Sequence, residues 1–160
     1  MYTSTNVEPV LVANAVLRVA FHEEVHITAA RLQCVLFDLE LLHRRRTGLP
    51  LIGAHFTTAP FGPRVSTIDA QYGLPPWSAT WNDPTIDRFG ENAQERAYSH
   101  YDLAVTGEVY LCLAAAEQLT VREHIERLRA EGTPWRTAFE KNQHFLDEDE
   151  ITAFGSEARP

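Results

Sequence analysis

The stretch His22-Glu23-Glu24-Val25-His26 has the spacing H-E-x-x-H. On a helix, histidines four apart share a face and can hold zinc, while the glutamate between them activates a water for peptide hydrolysis. That chemistry needs a third ligand from downstream, for which Glu40 and His43 are the candidates. The face carrying the pair also carries Arg18, which points it toward solvent. Ile27 and Thr28 lead directly into a helix cap, so His26 is expected in a connection. The motif therefore reads as a solvated helix end, with an H-E-x-x-H zinc peptidase as a remote alternative.

Other catalytic constellations do not assemble from the sequence. His55, His100, His124 and His144 are scattered, without a recognised ligand spacing. There is no G-x-S-x-G elbow, no phosphate-cradling glycine loop and no catalytic cysteine setting. Asp38 and Glu40 lie two apart on a helix and do not face each other. A non-enzymatic role without metal or cofactor is the expectation.

Binding chemistry is better represented. Trp77 and Trp81 stand in "LPPWSATWNDP", which its three prolines make irregular. Large aromatics in such a segment either cover the core or form a binding epitope. The basic run Arg44–Arg46 suits the negative end of a helix and is expected in solvent; the acidic run Asp147–Glu150 suits a helix start. A formal charge of −8 disfavours nucleic acid and favours a basic protein surface as partner. Cys34 and Cys112 read as buried thiols in a reducing compartment. A cytoplasmic protein without membrane association is expected, since no stretch reaches transmembrane length and no leader pattern opens the sequence.

The elements that must position these residues are mostly helical. Val10, Ala13, Leu17, Ala20 and Phe21 predict a first helix over about 8–24, with Pro9 at its start. Thr28 is the expected cap of a strong helix over 29–46, stopped by Gly48. "LPLIGAHFTTAPFGPR" predicts one or two short strands, or a hairpin turning at Phe61-Gly62-Pro63. A short helix follows over 66–72, and a little helix over 85–97. Ser99–Gln118 reads as the central buried helix. Thr120 with Glu123 forms a capping box for a helix reaching Gly132, Thr133-Pro134 opens the next, and Asp147 with Glu150 caps a last one ending near Phe154. The fold class is mainly α (α+β): a single compact helical domain over 1–160, core 8–155, with a small antiparallel β element in the first half.

Several segments, in order, resemble the Panacea-domain family. "ANAVL" and "HITAARLQCVLF" are similar to that domain's opening, through Ala13-Asn14, the Ile27-Thr28 cap and Leu32-Gln33. "TGLPLI" resembles its turn and strand, and "APFGPRV" its Gly-Pro-Val signature at Phe61, Gly62, Pro63 and Val65. "LRAEGTPW" matches at Leu128, Pro134 and Trp135, and residues 147–154 resemble its closing helix. The sequence departs from the family at Cys34, Ala59, Arg64 and Ala130. The resemblance implies an antitoxin of a bacterial or phage toxin–antitoxin pair, which neutralises its toxin by direct contact or by delivering it to a protease. Toxins of this family include translation inhibitors resembling alarmone synthetases. It also implies that Leu32, Gln33, Phe61, Gly62, Pro63, Pro134 and Trp135 are scaffold, leaving Trp77 and Trp81 as the expected toxin contacts.

Overall fold

The computed structural model describes residues 6–72, 85–90 and 103–157. The fold is mainly helical, as expected. Among the described residues the helices are α1 (Pro9–His22), α2 (Ala29–Thr47), α3 (Ser66–Gln71), α4 (Leu103–Glu117), α5 (Val121–Leu128), α6 (Pro134–Glu140) and α7 (Glu148–Ser156). They share one hydrophobic core, in which Leu17, Leu32, Leu36, Phe56, Val109, Ile125, Trp135 and Ile151 are all buried. α2 is its axis and packs against α1, α4, α5 and α7.

Local chemistry sets most helix ends. Thr28 Oγ1 accepts the Arg31 N–H at 3.1 Å to open α2, and Gly48 closes it in the left-handed region at φ 74°. Thr120 and Glu123 form the reciprocal box that starts α5. Thr133 caps α6, with Pro134 in its first turn, and Asp147 caps α7 by accepting the Glu150 N–H at 2.9 Å. α1 ends in a Schellman-type stop: Val25 N–H bonds Ala20 O at 2.8 Å, Glu24 N–H bonds Phe21 O at 3.3 Å, and Glu24 has φ 56°.

The connections are tied down by side chains in place of a sheet. Asn14 is fully buried and grips Gly90 at both backbone groups, donating to its carbonyl at 3.0 Å and accepting its N–H at 2.8 Å. A Cβ at Gly90 would lie 2.8 Å from Val10 Cγ1, so only glycine lets the chain come this close. Gln33 grips Val65 in the same two-point way, at 3.0 and 2.9 Å. The Glu40 carboxylate accepts the N–H groups of Leu51 and Ile52 at 2.9 and 3.3 Å. Buried backbone polar groups need such partners.

Four expectations change. Thr57 and Arg64 form one antiparallel bridge around the Phe61–Pro63 turn, and Thr57 forms another with Phe145; the bridges among the described residues are isolated and make no ladder. Of the little helix expected over 85–97, residues 85–90 are not helical, because Gly90 is held by Asn14 and Thr85 bridges Thr28, and 91–97 lie outside the described residues. α5 stops at Leu128 and does not reach Gly132: Thr133 takes the Ala130 carbonyl, and Arg136 Nε takes that of Arg129. α4 is not buried all round. Val105, Val109, Cys112, Leu113 and Ala116 face the core, while Tyr110, Leu111, Ala114 and Ala115 face water.

Candidate functional site

The H-E-x-x-H residues do not share a helical face. α1 ends at His22, Glu24 is left-handed, and His26 is exposed in the connection to α2. Among the described residues no three His, Cys, Asp or Glu side chains are grouped as a metal ion would require. Glu40 and His43, the proposed third ligands, are buried and engaged elsewhere.

The residues expected to be scaffold are placed as follows. Leu32 is fully buried, and Gln33 joins Val65 to Asp69, donating to the Asp69 carboxylate at 3.2 Å. Pro63 is buried, Phe61 half-buried, and Gly62 adopts φ 100°, which favours glycine. Pro134 lies in the first turn of α6, and Trp135 is buried with its Nε1–H bonding Ala59 O at 2.9 Å. Arg64 is buried against Asp69 with Nη2 at 2.6 Å from Oδ1. Trp77 and Trp81 lie outside the described residues.

A different set of residues forms the most developed polar site. Two clefts of about 630 and 620 Å³ adjoin one another and share His55, Glu148 and Asp149. Gly53, Ala54 and Thr152 line the first; His144, Phe145 and Asp147 line the second. The site is built from α2 outward. Glu40 is fixed by the backbone at Leu51 and Ile52, and it stands 3.5 Å from the guanidinium of Arg44. Burial pushes the Glu40 carboxyl above its ordinary range, while Arg44 and the two backbone donors oppose that shift. Arg44 Nη1 donates to Glu148 O and Thr152 Oγ1, and Nη2 to the Glu148 carboxylate. Glu148 in turn meets His55 Nδ1 at 2.9 Å.

This relay corrects the reading of Arg44 as a solvated helix end. The side chain is 3% exposed, because position 44 continues the buried face of α2 through positions 36 and 40. Its partner Glu148 is not buried, at 40% exposure, and presents the charge to the cleft. The relay orients the imidazole of His55 and leaves Nε2 as the atom open to a partner. Thr152, the hydroxyl nearest the relay, is itself bonded to Arg44 and Glu148 and is not poised as a nucleophile. Phe145 is 48% exposed, with the His55 ring 5.6 Å and the His144 ring 4.5 Å away. The result is an acidic groove with an aromatic anchor, suited to recognising a cationic surface.

The site is not legible in the sequence because its parts come from distant segments: His55 and Glu148 are 93 residues apart. One signal was available, the pair Glu40 and Arg44 on an otherwise apolar helical stripe, since buried charge is paired charge. Compared with known proteins, the chain matches no family model, no curated protein and no solved structure.

Proposed function

We propose that the chain is an antitoxin that neutralises a cognate toxin by direct, stoichiometric protein binding. The observation that carries this reading is how the segments with a family resemblance relate in space. Gln33 grips Val65, and Trp135 donates to Ala59, so separate motifs of the sequence are bonded partners. The acidic groove supports the second half of the proposal, a basic toxin surface. Asp147, Glu148 and Asp149 supply charge, and Phe145 supplies a half-exposed aromatic of the kind that anchors interfaces.

The test begins with the neighbouring reading frame, expressed alone and together with this chain. The expected result is growth arrest by the neighbour and recovery on co-expression; no arrest, or arrest without recovery, overturns the reading. Rescue that disappears in protease-deficient cells would make the chain a proteolytic adaptor and not an occluding inhibitor. With a toxin in hand, joint His55→Ala and Phe145→Ala substitution should weaken its binding about tenfold or more. The double alanine variant at Trp77 and Trp81 examines the other expected contact in the same assay.

A further inference from the structure

On its solvent side α4 presents Thr106, Gly107, Tyr110, Leu111, Ala114, Ala115 and Glu117, of which Glu117 alone, at the C-terminal end, is charged. Leu111 is 65% exposed and Tyr110 41%. Helical spacing gathers 107, 111, 114 and 115 into a single stripe. Beside it lies a cleft of about 400 Å³, whose apolar walls are Leu41, Leu42, Cys112, Ala115 and Phe154. A contiguous apolar stripe of this kind is usually covered by a partner.

Gly107 gives an independent indication. It stands inside α4, where glycine is unfavourable, yet a Cβ built there meets no atom of the described residues within 4 Å. Among the described residues neither turn geometry nor close packing requires a glycine at this position. Close approach by another backbone from outside is the remaining physical use for it.

We infer that a second copy of this chain covers the face, through an antiparallel pairing of two α4 helices across a two-fold axis. A two-fold interface must be complementary to itself. This patch holds a protruding side chain, Leu111, and an apolar cleft next to it, so each copy can seat its leucine in the cleft of the other. The rim is balanced in the same way. Asp38, whose carboxylate also meets His124 Nε2 at 2.7 Å, and Glu157 border the cleft together with Arg45 and Arg127. Two-fold rotation can bring each sign against its opposite, whereas a partner of uniform charge would meet as much repulsion as attraction. Gly107, Ala114 and Ala115 lack long side chains and let the helix axes come close. The inference is independent of the antitoxin reading.

Sedimentation velocity or light scattering on the full chain tests it. At about 100 µM, where even micromolar affinity fills an interface, the expected species has twice the chain mass of 18.1 kDa. Leu111→Glu should weaken self-association about tenfold or more while leaving the circular dichroism spectrum unchanged, because the side chain is exposed. Gly107→Ala should also weaken it, with the monomer fold intact. A monomeric wild-type chain at that concentration overturns the inference. So does a dimer that both variants leave untouched. A monomer whose Leu111→Glu variant loses toxin binding would reassign the face to the toxin and overturn the self-association.

Discussion

α2 and α4 lie side by side in the core, and each reverses the usual link between polarity and burial. α2 buries Gln33, Glu40, His43 and Arg44. α4 leaves Tyr110, Leu111, Ala114 and Ala115 in water. The polar groups of α2 stay inside because they are spent on this chain: Gln33 and Glu40 hold backbone, and Arg44 holds Glu40, Glu148 and Thr152. The exposed apolar groups of α4 have no such use within the described residues. Burial of polarity thus organises the molecule internally, and exposure of apolar surface directs it outward. The two proposed contacts inherit this difference: an electrostatic groove built on α2 and a nearly uncharged seam on α4. Raising salt should therefore weaken toxin binding at the groove more than association at α4, where screened rim pairs are offset by screened repulsion between two acidic chains.

The most damaging way to break the comparison is to remove the centre of the α2 network. Glu40→Ala strips the acceptor from the N–H groups of Leu51 and Ile52 and a counter-charge from Arg44. Removing one member of a buried charged pair costs about 3–5 kcal/mol, against a total of about 5–15 for a domain of this kind. Urea denaturation followed by circular dichroism measures it. A loss below about 1 kcal/mol would mean that the loop at 51–52 holds itself and that α2's buried polarity is incidental.

The seam between the two helices contains a smaller, pH-dependent contact. Glu108 of α4 pairs with Arg46 of α2 and stands 3.7 Å from His43 Nδ1. Burial alone would raise the Glu108 carboxyl; His43 nearby and the bond from Arg46 outweigh it and hold it below the ordinary carboxylate range. The sign follows from proton binding. With a depressed value in the folded state, the unfolded chain takes the proton first as pH falls. The contribution is complete above about 4.5 and is lost as pH drops through the lower folded value. Glu108→Gln should cost about 1–2 kcal/mol at neutral pH, discounted because Arg46 is 34% exposed. It should also flatten the acid limb of a stability–pH profile. An unchanged acid limb would show that the α2–α4 contact is apolar alone.

Reading the sequence recovered the helices wherever a boundary was written in local chemistry. Thr28, Gly48, Thr120 with Glu123, Thr133 with Pro134, and Asp147 each mark an end through bonds within a few residues. H-E-x-x-H was likewise legible as a boundary, through the cap that follows it. Two things were not legible, for opposite reasons. The open face of α4 has no phase in the sequence, since Leu, Ala, Val and Cys occur all round the helix and hydrophobic periodicity cannot say which side is covered. Arg44 had a phase, but it sits in a run of three arginines at a helix end, where the macrodipole gives a sufficient reason for basic residues. The groove depends on contacts between residue 55, in a connection without periodicity, and residue 148, which no local rule joins.

The smallest expected effect separates the two helices most sharply. Gly107→Ala fills open space within the chain and replaces the least helical of ordinary residues by the most helical. The monomer should gain about 0.5–1 kcal/mol, read as a higher urea midpoint at a concentration too low for self-association. A methyl group at the same position would, however, stand between two α4 backbones and push them apart. Stability and association should then move in opposite directions from one methyl group, an outcome that α2's inward-facing positions cannot produce. Alanine at Gln33 or Glu40 can only loosen the chain, because every partner those residues hold belongs to the chain itself. A variant at Gly107 that gained stability and kept full association would place the helix–helix approach elsewhere on α4, with Leu111 as the next position to examine.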